Sequence, residues 1–146
     1  MNILFVCTGN SCRSPMAEGI MKKAVGDKDV TVSSAGLSVY TPGKASENAQ
    51  IVMDEMGIDV SSHISSQVSG EAIEDADLVL CMTRSHRNAL VDLYPELSDK
   101  IFTLCEYAYG TYEDIADPYG GDVDEYRECA SQIKDAVYAT CKKLEL

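Results

Sequence analysis

The sequence is poor in basic residues and has no long apolar run. Of its 146 residues, 12 are Lys or Arg and 24 are Asp or Glu, which gives a formal net charge of −12. Because a nucleic-acid-binding protein normally presents a basic face, this balance disfavours nucleic acid as a partner. No apolar stretch is long enough to cross a bilayer, so we expect no membrane partner either.

The marks of a secreted or metal-binding chain are also missing. The first residues, MNILFVC, have no basic start, and their apolar run covers only residues 3–7, which is not typical of a secretion signal. We therefore expect a cytoplasmic protein whose six cysteines remain thiols. His63 and His86 are isolated, and no cysteines have paired C-x2-C spacing, so we expect no metal site and no cofactor.

No linker, repeat or low-complexity tract divides the chain, so the length predicts a single domain over residues 1–146. Apolar runs and amphipathic periodicity alternate along it, and such alternation predicts a parallel α/β sheet. Ligands of these folds bind beyond the carboxyl ends of the strands. We predict strands at residues 3–7, 30–34, 78–82 and 101–104, and helices at 14–26, 45–56, 70–75, 85–93 and 124–144.

The stretch VCTGNSCRSP, residues 6–15, follows the first predicted strand directly. Ser14 can cap the next helix, and Pro15 suits a first helical position. Backbone N–H groups in a strand-to-helix loop, together with the helix dipole, form an anion site. Arg13 adds a planar fork that can hold two phosphoryl oxygens. The loop is therefore predicted to bind phosphate or a similar oxyanion.

Cys7 would lie at the base of this positive concavity. Such an environment favours the thiolate, which is the nucleophilic form of cysteine, and a hydroxyl at Ser14 can donate a hydrogen bond to it. The spacing Cys7-x5-Arg13 thus joins a nucleophile to a phosphate holder. The alternative reading is a buried structural cysteine followed by a turn.

A phosphoryl-transfer nucleophile needs a proton donor for its leaving group. The candidate is Asp117 in ADPYGG, residues 116–121, where Pro118 and two glycines define a turn. This loop follows the fourth predicted strand and can reach the same edge of the sheet as Cys7. The alternative is a solvated Asp-Pro turn.

The stretches VCTGNSCRSPMAE, DLVLCMTRSH and DPYGG together resemble the low-molecular-weight protein tyrosine phosphatase family over essentially the whole chain. The resemblance implies a four-stranded parallel sheet with helices on both faces, a flavodoxin-like three-layer sandwich. It also implies phosphorylated protein substrates and a phosphocysteine intermediate. In that mechanism Cys7 attacks phosphorus, Arg13 binds the equatorial oxygens, and Asp117 protonates the leaving atom and later activates water.

The resemblance also implies supporting roles. Asn10, Ser14, Ser34 and His63 stand where the family holds its loop in place, although His63 can equally be an ordinary core or surface histidine. The phosphate-binding loop is then composed of Thr8, Gly9, Asn10, Ser11, Cys12, Arg13 and Ser14.

Further positions concern the substrate cleft and redox chemistry. Tyr119 is expected to form one wall of the cleft and Tyr40 the other, although surface packing is the alternative for both. Cys12 resembles a second loop cysteine that can trap Cys7 as a reversible disulfide. The alternative for Cys12 is a small apolar filler.

Two positions bear on the substrate. The tyrosine phosphatases usually carry a bulky aliphatic residue at position 11 and often a second aromatic at position 120, whereas this chain has Ser11 and Gly120. A branch that dephosphorylates protein arginine carries a small hydroxyl residue and an Asp-Pro-aromatic-Gly-Gly turn. The site residues therefore slightly favour phosphoarginine, and phosphotyrosine stays open.

Two other functions use a similar loop. An arsenate reductase of the same fold needs two relay cysteines, but only Cys81 is near such a position and Asn88 stands seven residues later. A non-hydrolytic cysteine phosphocarrier would keep its phosphocysteine, and Arg13 and Asp117 argue against it.

Overall fold

A four-stranded parallel sheet forms the centre of the protein in a computed structural model that describes residues 1–146. The strand order is β2-β1-β3-β4, and neighbouring strands pair in parallel, as the α/β expectation predicts. The strands are β1 Asn2–Cys7, β2 Thr31–Gly36, β3 Leu78–Cys81 and β4 Ile101–Thr103. Helices cover both faces of this sheet, and they are α1 Arg13–Val25, α2 Glu47–Glu55, α3 Gly70–Asp75, α4 Arg84–Leu93, α5 Leu104–Tyr109 and α6 Val123–Lys143.

The alternation of side chains along β1 divides the core into two clusters. Ile3 and Phe5 pack with α1, α2 and α6 on one face, whereas Leu4 and Val6 pack with residues of α3 and α4 on the other. Because both faces of β1 are covered, its residues 3–7 are all buried, as expected for a central parallel strand. None of the helices combines the length and the apolar composition needed to span a bilayer.

The helix that follows β1 begins differently from the sequence prediction. Ser14 was expected to cap it, but α1 begins at Arg13 and its capping position is Cys12, which makes no side-chain capping bond. The hydroxyl of Ser14 is instead engaged with Cys7 and Asn10. The capping prediction was therefore wrong, and the first N–H groups of α1 are left without a side-chain acceptor.

Helix α5 was missed because residue 104 was assigned to the fourth strand. The strand ends at Thr103, whose side chain accepts from the backbone N–H of Glu106, while the Glu106 carboxylate accepts from the backbone N–H of Thr103. This reciprocal capping box starts a helix at once. A short 3-10 helix, Pro95–Lys100, was also not predicted.

The loop after β1 lies at the point where the chain direction across the sheet reverses. From β1 the chain crosses to β2 on one side, and later to β3 on the other. Such a switch point opens a crevice beyond the carboxyl ends of the strands. The backbone N–H of Ile115 bonds to the carbonyl of Met82 just after β3, at 3.0 Å, which brings the segment containing Asp117 to the same crevice.

Gly36, at the end of β2, allows the loop after β1 to approach closely. A Cβ at this position would lie 2.7 Å from the Thr8 carbonyl oxygen, 2.8 Å from a Val39 methyl and 3.0 Å from the Asn10 nitrogen. Backbone atoms cannot move aside cheaply, so the absence of a side chain here is a condition for the observed loop geometry.

We expect Gly36→Ala to lower the free energy of unfolding by about 1–3 kcal/mol, as overpacking usually does. Gly43→Ala is the matched control, because a Cβ there would meet nothing within 4 Å. Urea unfolding of both variants measures the difference. Equal stability of the two variants would contradict the close approach.

Candidate active site

A cleft of about 220 Å³ opens above the carboxyl end of β1. It brings together residues from the loop after β1 and from the ADPYGG turn, which are more than a hundred positions apart in the chain. The lining residues are Cys7, Thr8, Gly9, Ser11, Cys12, Arg13, Asp117 and Tyr119.

Cys7 lies at the base of this cleft and is only 3% exposed. Its Sγ atom is 2.9 Å from the Oγ atom of Ser14 in the first turn of α1. The positive end of a helix dipole favours negative charge at such a position. The geometry therefore suits a thiolate that accepts a hydrogen bond from Ser14.

Arg13 is buried and is fixed by a contact with the opposite loop. Its Nη1 atom donates to the carbonyl of Ile115 at 2.9 Å, and its Nη2 atom is 3.6 Å from Oδ2 of Asp117. The Asp117 side chain is half exposed, and its Oδ1 atom accepts from the backbone N–H of Tyr119 at 3.1 Å. The cation and the carboxylate thus face one another across the cleft.

Asn10 is fully buried and has a positive φ of 54°, a conformation that asparagine tolerates better than most residues. Its Nδ2 atom donates to Ser14 at 2.7 Å and to Ser34 at 3.0 Å, and its Oδ1 atom accepts from the backbone N–H of Ser66 at 3.0 Å. His63 Nε2 lies 2.9 Å from the Asn10 carbonyl oxygen. Since a carbonyl only accepts, His63 donates this bond.

Glu18 extends this network, and the sequence reasoning did not identify it. The Ser34 hydroxyl donates to Glu18 Oε1 at 2.6 Å. Asn10 donates to Ser14, so the Ser14 proton is free to point at Cys7. A Cys7 thiolate can only accept, so in that state the chain of bonds ends with the Ser14 hydroxyl donating to the sulfur. Glu18 lies four residues after Ser14 on α1, a spacing that places both on one helix face.

Cys12 occupies a polar pocket. Its Sγ atom is 3.2 Å from the hydroxyl of Tyr126 and 3.5 Å from that of Ser46. Burial, followed by the Cys12 contact, raises the pKa of Tyr126 to about 12, so this phenol is neutral near pH 7. Tyr126 lay within the helix predicted at residues 124–144, but nothing in the sequence indicated its contact with Cys12, and Ser46 carried no signal.

His86 is a further contact of the loop that the sequence did not reveal. It is 6% exposed, and its Nε2 atom is 2.8 Å from Oγ1 of Thr8. Burial and then the charge of Arg13 lower the pKa of His86 to about 4, although Asp114 and Asp117 act in the opposite direction. The ring is therefore neutral near pH 7.

The two predicted cleft tyrosines differ in position. Tyr119 lines the cleft, but Tyr40 is 94% exposed and is absent from the lining. The segment after β2 is held to the loop by the backbone bond from Ser38 to the Thr8 carbonyl, and Tyr40 lies beyond this anchor with its side chain in solvent. The expectation of a second wall at Tyr40 was wrong.

Cys81 is a poor candidate for the relay that an arsenate reductase requires. It is fully buried in β3, and burial raises the pKa of its thiol far above the ordinary value. A relay needs an accessible thiolate, which this position does not provide.

Comparison with known proteins agrees with this geometry. A model of the low molecular weight phosphotyrosine protein phosphatase family matches residues 2–145. The protein-arginine-phosphatase of Bacillus subtilis is 38% identical, covering 99% of this chain and 97% of the relative. The protein-arginine-phosphatase of Geobacillus stearothermophilus is 42% identical, and the match covers 98% of this chain and 95% of the relative.

Solved structures are similar over the same length. One is a YwlE arginine phosphatase, a cysteine-to-serine mutant with a phosphorylated active site serine. It has a TM-score of 0.95 at 38% identity, and the match covers 99% of this chain and 96% of that chain. A low molecular weight protein tyrosine phosphatase from T. tengcongensis has a TM-score of 0.92 at 44% identity, and the match covers 98% of this chain and 99% of that chain.

The lowered pKa of His86 predicts an acid-dependent loss of stability. Between pH 6.5 and 4 the unfolded state binds a proton at His86 and the folded state does not. The free energy of unfolding is therefore highest above pH 6.5 and decreases as the pH falls toward 4. Relative to His86→Phe, the wild type should lose roughly 3 kcal/mol over this range. Urea unfolding at several pH values measures it, and parallel curves for the two proteins would contradict the shift.

Proposed function

Because the chain belongs to the low molecular weight phosphotyrosine protein phosphatase family, it is a cysteine-dependent protein phosphatase, and we propose that Cys7, Arg13 and Asp117 carry its chemistry. The supporting observation is the cleft itself, in which a buried thiol, a fixed guanidinium and a half-exposed carboxyl face one space of about 220 Å³. Family members act through a phosphocysteine intermediate.

In the first step the Cys7 thiolate attacks phosphorus. An S–P bond forms while the bond from phosphorus to the leaving oxygen or nitrogen breaks. Asp117 enters as a carboxylic acid and donates its proton to the leaving atom. The backbone N–H groups of the loop and Arg13 bind the three equatorial oxygens, whose charge they stabilise most in the transition state.

In the second step Asp117, now a carboxylate, takes a proton from water. The water oxygen attacks phosphorus, the S–P bond breaks, and inorganic phosphate and the Cys7 thiolate are released. The relative with a phosphorylated active site serine supports this assignment, because its phosphoryl group sits on the residue that replaces the cysteine. Ser14, positioned by Asn10, would stabilise Cys7 as both nucleophile and leaving group.

The substrate we favour is phosphoarginine in proteins. Ser11 lines the cleft, where its hydroxyl leaves room and can contact a guanidinium, whereas an aliphatic side chain would pack against a phenyl ring. Asp117 adds a charge-assisted contact to that guanidinium. The two relatives named protein-arginine-phosphatase support this choice, and the relative named as a tyrosine phosphatase keeps phosphotyrosine as the second candidate.

The same chemistry supports a cytoplasmic location. All six cysteines are free thiols, and Cys7 must be a thiolate in order to attack phosphorus. A reducing compartment maintains that state.

We expect Asp117→Asn to slow the hydrolysis of esters with poor leaving groups by about 10²–10⁴-fold, the usual size of general acid catalysis. Esters with good leaving groups should be slowed far less. The kcat/KM values of a series of aryl phosphates measure this, because they report only the steps up to formation of the phosphocysteine. Glu128→Gln is the matched control, since it neutralises a carboxylate in the groove beside Asp117. An equal loss across the series would remove Asp117 from the role of proton donor.

We expect Ser11→Ile to shift the ratio of kcat/KM for phosphoarginine over phosphotyrosine peptides by tenfold or more toward phosphotyrosine, about 1.4 kcal/mol of differential transition-state binding. Matched peptides measure the ratio. Ser11→Thr keeps the hydroxyl and should leave the ratio near the wild-type value. Cys7→Ser should release no phosphate from either peptide. An unchanged ratio in Ser11→Ile would refute the assigned role of Ser11.

A further inference from the structure

The side chain of Thr8 stands next to the proposed nucleophile but has no part in the chemistry described so far. Thr8 is exposed and lines the cleft, and the one hydrogen bond of its side chain joins Oγ1 to Nε2 of His86 at 2.8 Å. The backbone of Thr8 belongs to the phosphate-binding loop. Its hydroxyl is therefore a polar group held in place at the cleft.

His86 holds this hydroxyl from a different part of the fold. It lies in the first turn of α4, where its backbone N–H donates to the capping hydroxyl of Thr83 at 3.1 Å. Helix α4 follows β3, which pairs with β1. The sheet thus fixes the position of His86 relative to the loop, and burial of its ring restricts its movement.

The unpaired nitrogen of His86 determines which tautomer is present. Its Nδ1 atom is buried and has no hydrogen-bond partner. A proton on Nδ1 would be a buried donor without an acceptor, which is rare and costly, whereas a bare lone pair there is tolerated more readily. The neutral ring therefore carries its proton on Nε2 and donates it to Thr8.

This direction leaves the hydroxyl proton of Thr8 without an acceptor in the protein. The 2.8 Å contact with His86 is the one hydrogen bond of Thr8 Oγ1, so a phosphoryl oxygen bound in the cleft can take this proton. We propose that the Thr8 hydroxyl donates a hydrogen bond to the bound phosphoryl group, and that His86 is the positioning residue that orients it. The identity of the acceptor rests on the proposed function.

A double-mutant cycle tests this coupling. Thr8→Val keeps the shape of the side chain and removes the hydroxyl, and His86→Phe removes the Nε2 donor. The two readouts are the inhibition constant of inorganic phosphate and kcat/KM on an aryl phosphate. Each single variant should weaken phosphate inhibition and lower kcat/KM by about tenfold, typical of one hydrogen bond to a charged group. The double variant should be no worse than Thr8→Val alone.

Conservative variants separate positioning from folding. Thr8→Ser should stay near wild type, and His86→Gln, whose side-chain amide can donate, should recover part of the loss. If the losses multiply in the double variant, or if Thr8→Val binds phosphate as the wild type does, the proposal is overturned. Urea unfolding identifies any variant that acts through stability.

A spectroscopic measurement on the wild type avoids the risk that His86→Phe fails to fold. With two histidines in the chain, long-range ¹H–¹⁵N spectra with His63→Gln as the assignment variant identify the His86 nitrogens. We expect Nε2 to carry the proton, and a proton on Nδ1 would overturn the proposal. Failure of the proposed function would be seen in a different measurement. If Ser11→Ile leaves the ratio of kcat/KM for phosphoarginine over phosphotyrosine peptides unchanged, the substrate choice is refuted. Inhibition by inorganic phosphate still tests the roles of Thr8 and His86.

Discussion

The buried amide of Asn10 is the contact on which the loop after β1 depends. A left-handed residue in that loop turns the chain back over the end of β1, and the Asn10 side chain ties this turn to α1, β2 and the segment at residue 66. Unpaired amide atoms in such a buried position would be costly. The three hydrogen bonds therefore select one loop conformation, and Gly36 leaves the space for it.

The same amide sets the direction of hydrogen bonding toward the nucleophile. Glu18 accepts from Ser34, and Asn10 donates to both Ser34 and Ser14. Ser14 is then left with a proton for Cys7 at 2.9 Å. In the proposed mechanism this donor serves twice, because the sulfur carries negative charge before attack and again when phosphate leaves. A structural network and a catalytic requirement are thus met by one set of bonds.

Arg13 is the one cationic side chain that lines the cleft of this strongly acidic protein. The net charge of −12 works against the approach of a phosphorylated group, so the binding we propose relies on short-range contacts: the N-terminus of α1, backbone N–H groups and Arg13. Arg13 is held to the Ile115 carbonyl on the opposite loop, which keeps the fork in place without substrate. A cationic guanidinium beside the phosphate suits the acidic surroundings better than a neutral phenyl ring does, in keeping with the substrate we favour.

The sequence by itself determined the parallel α/β arrangement, because alternating buried strands and amphipathic helices permit few topologies. It also indicated the Cys7 loop and the Asp117 turn, whose signals are local spacings of a few residues. It misplaced the cap of α1, missed α5 and assigned Tyr40 to the cleft. Glu18, Tyr126 and His86 carried no usable signal, because each acts through a partner brought close only by folding. The register of the strands and the packing of the helices in the tertiary structure decide which hydrogen-bond donor on one element faces which acceptor on another.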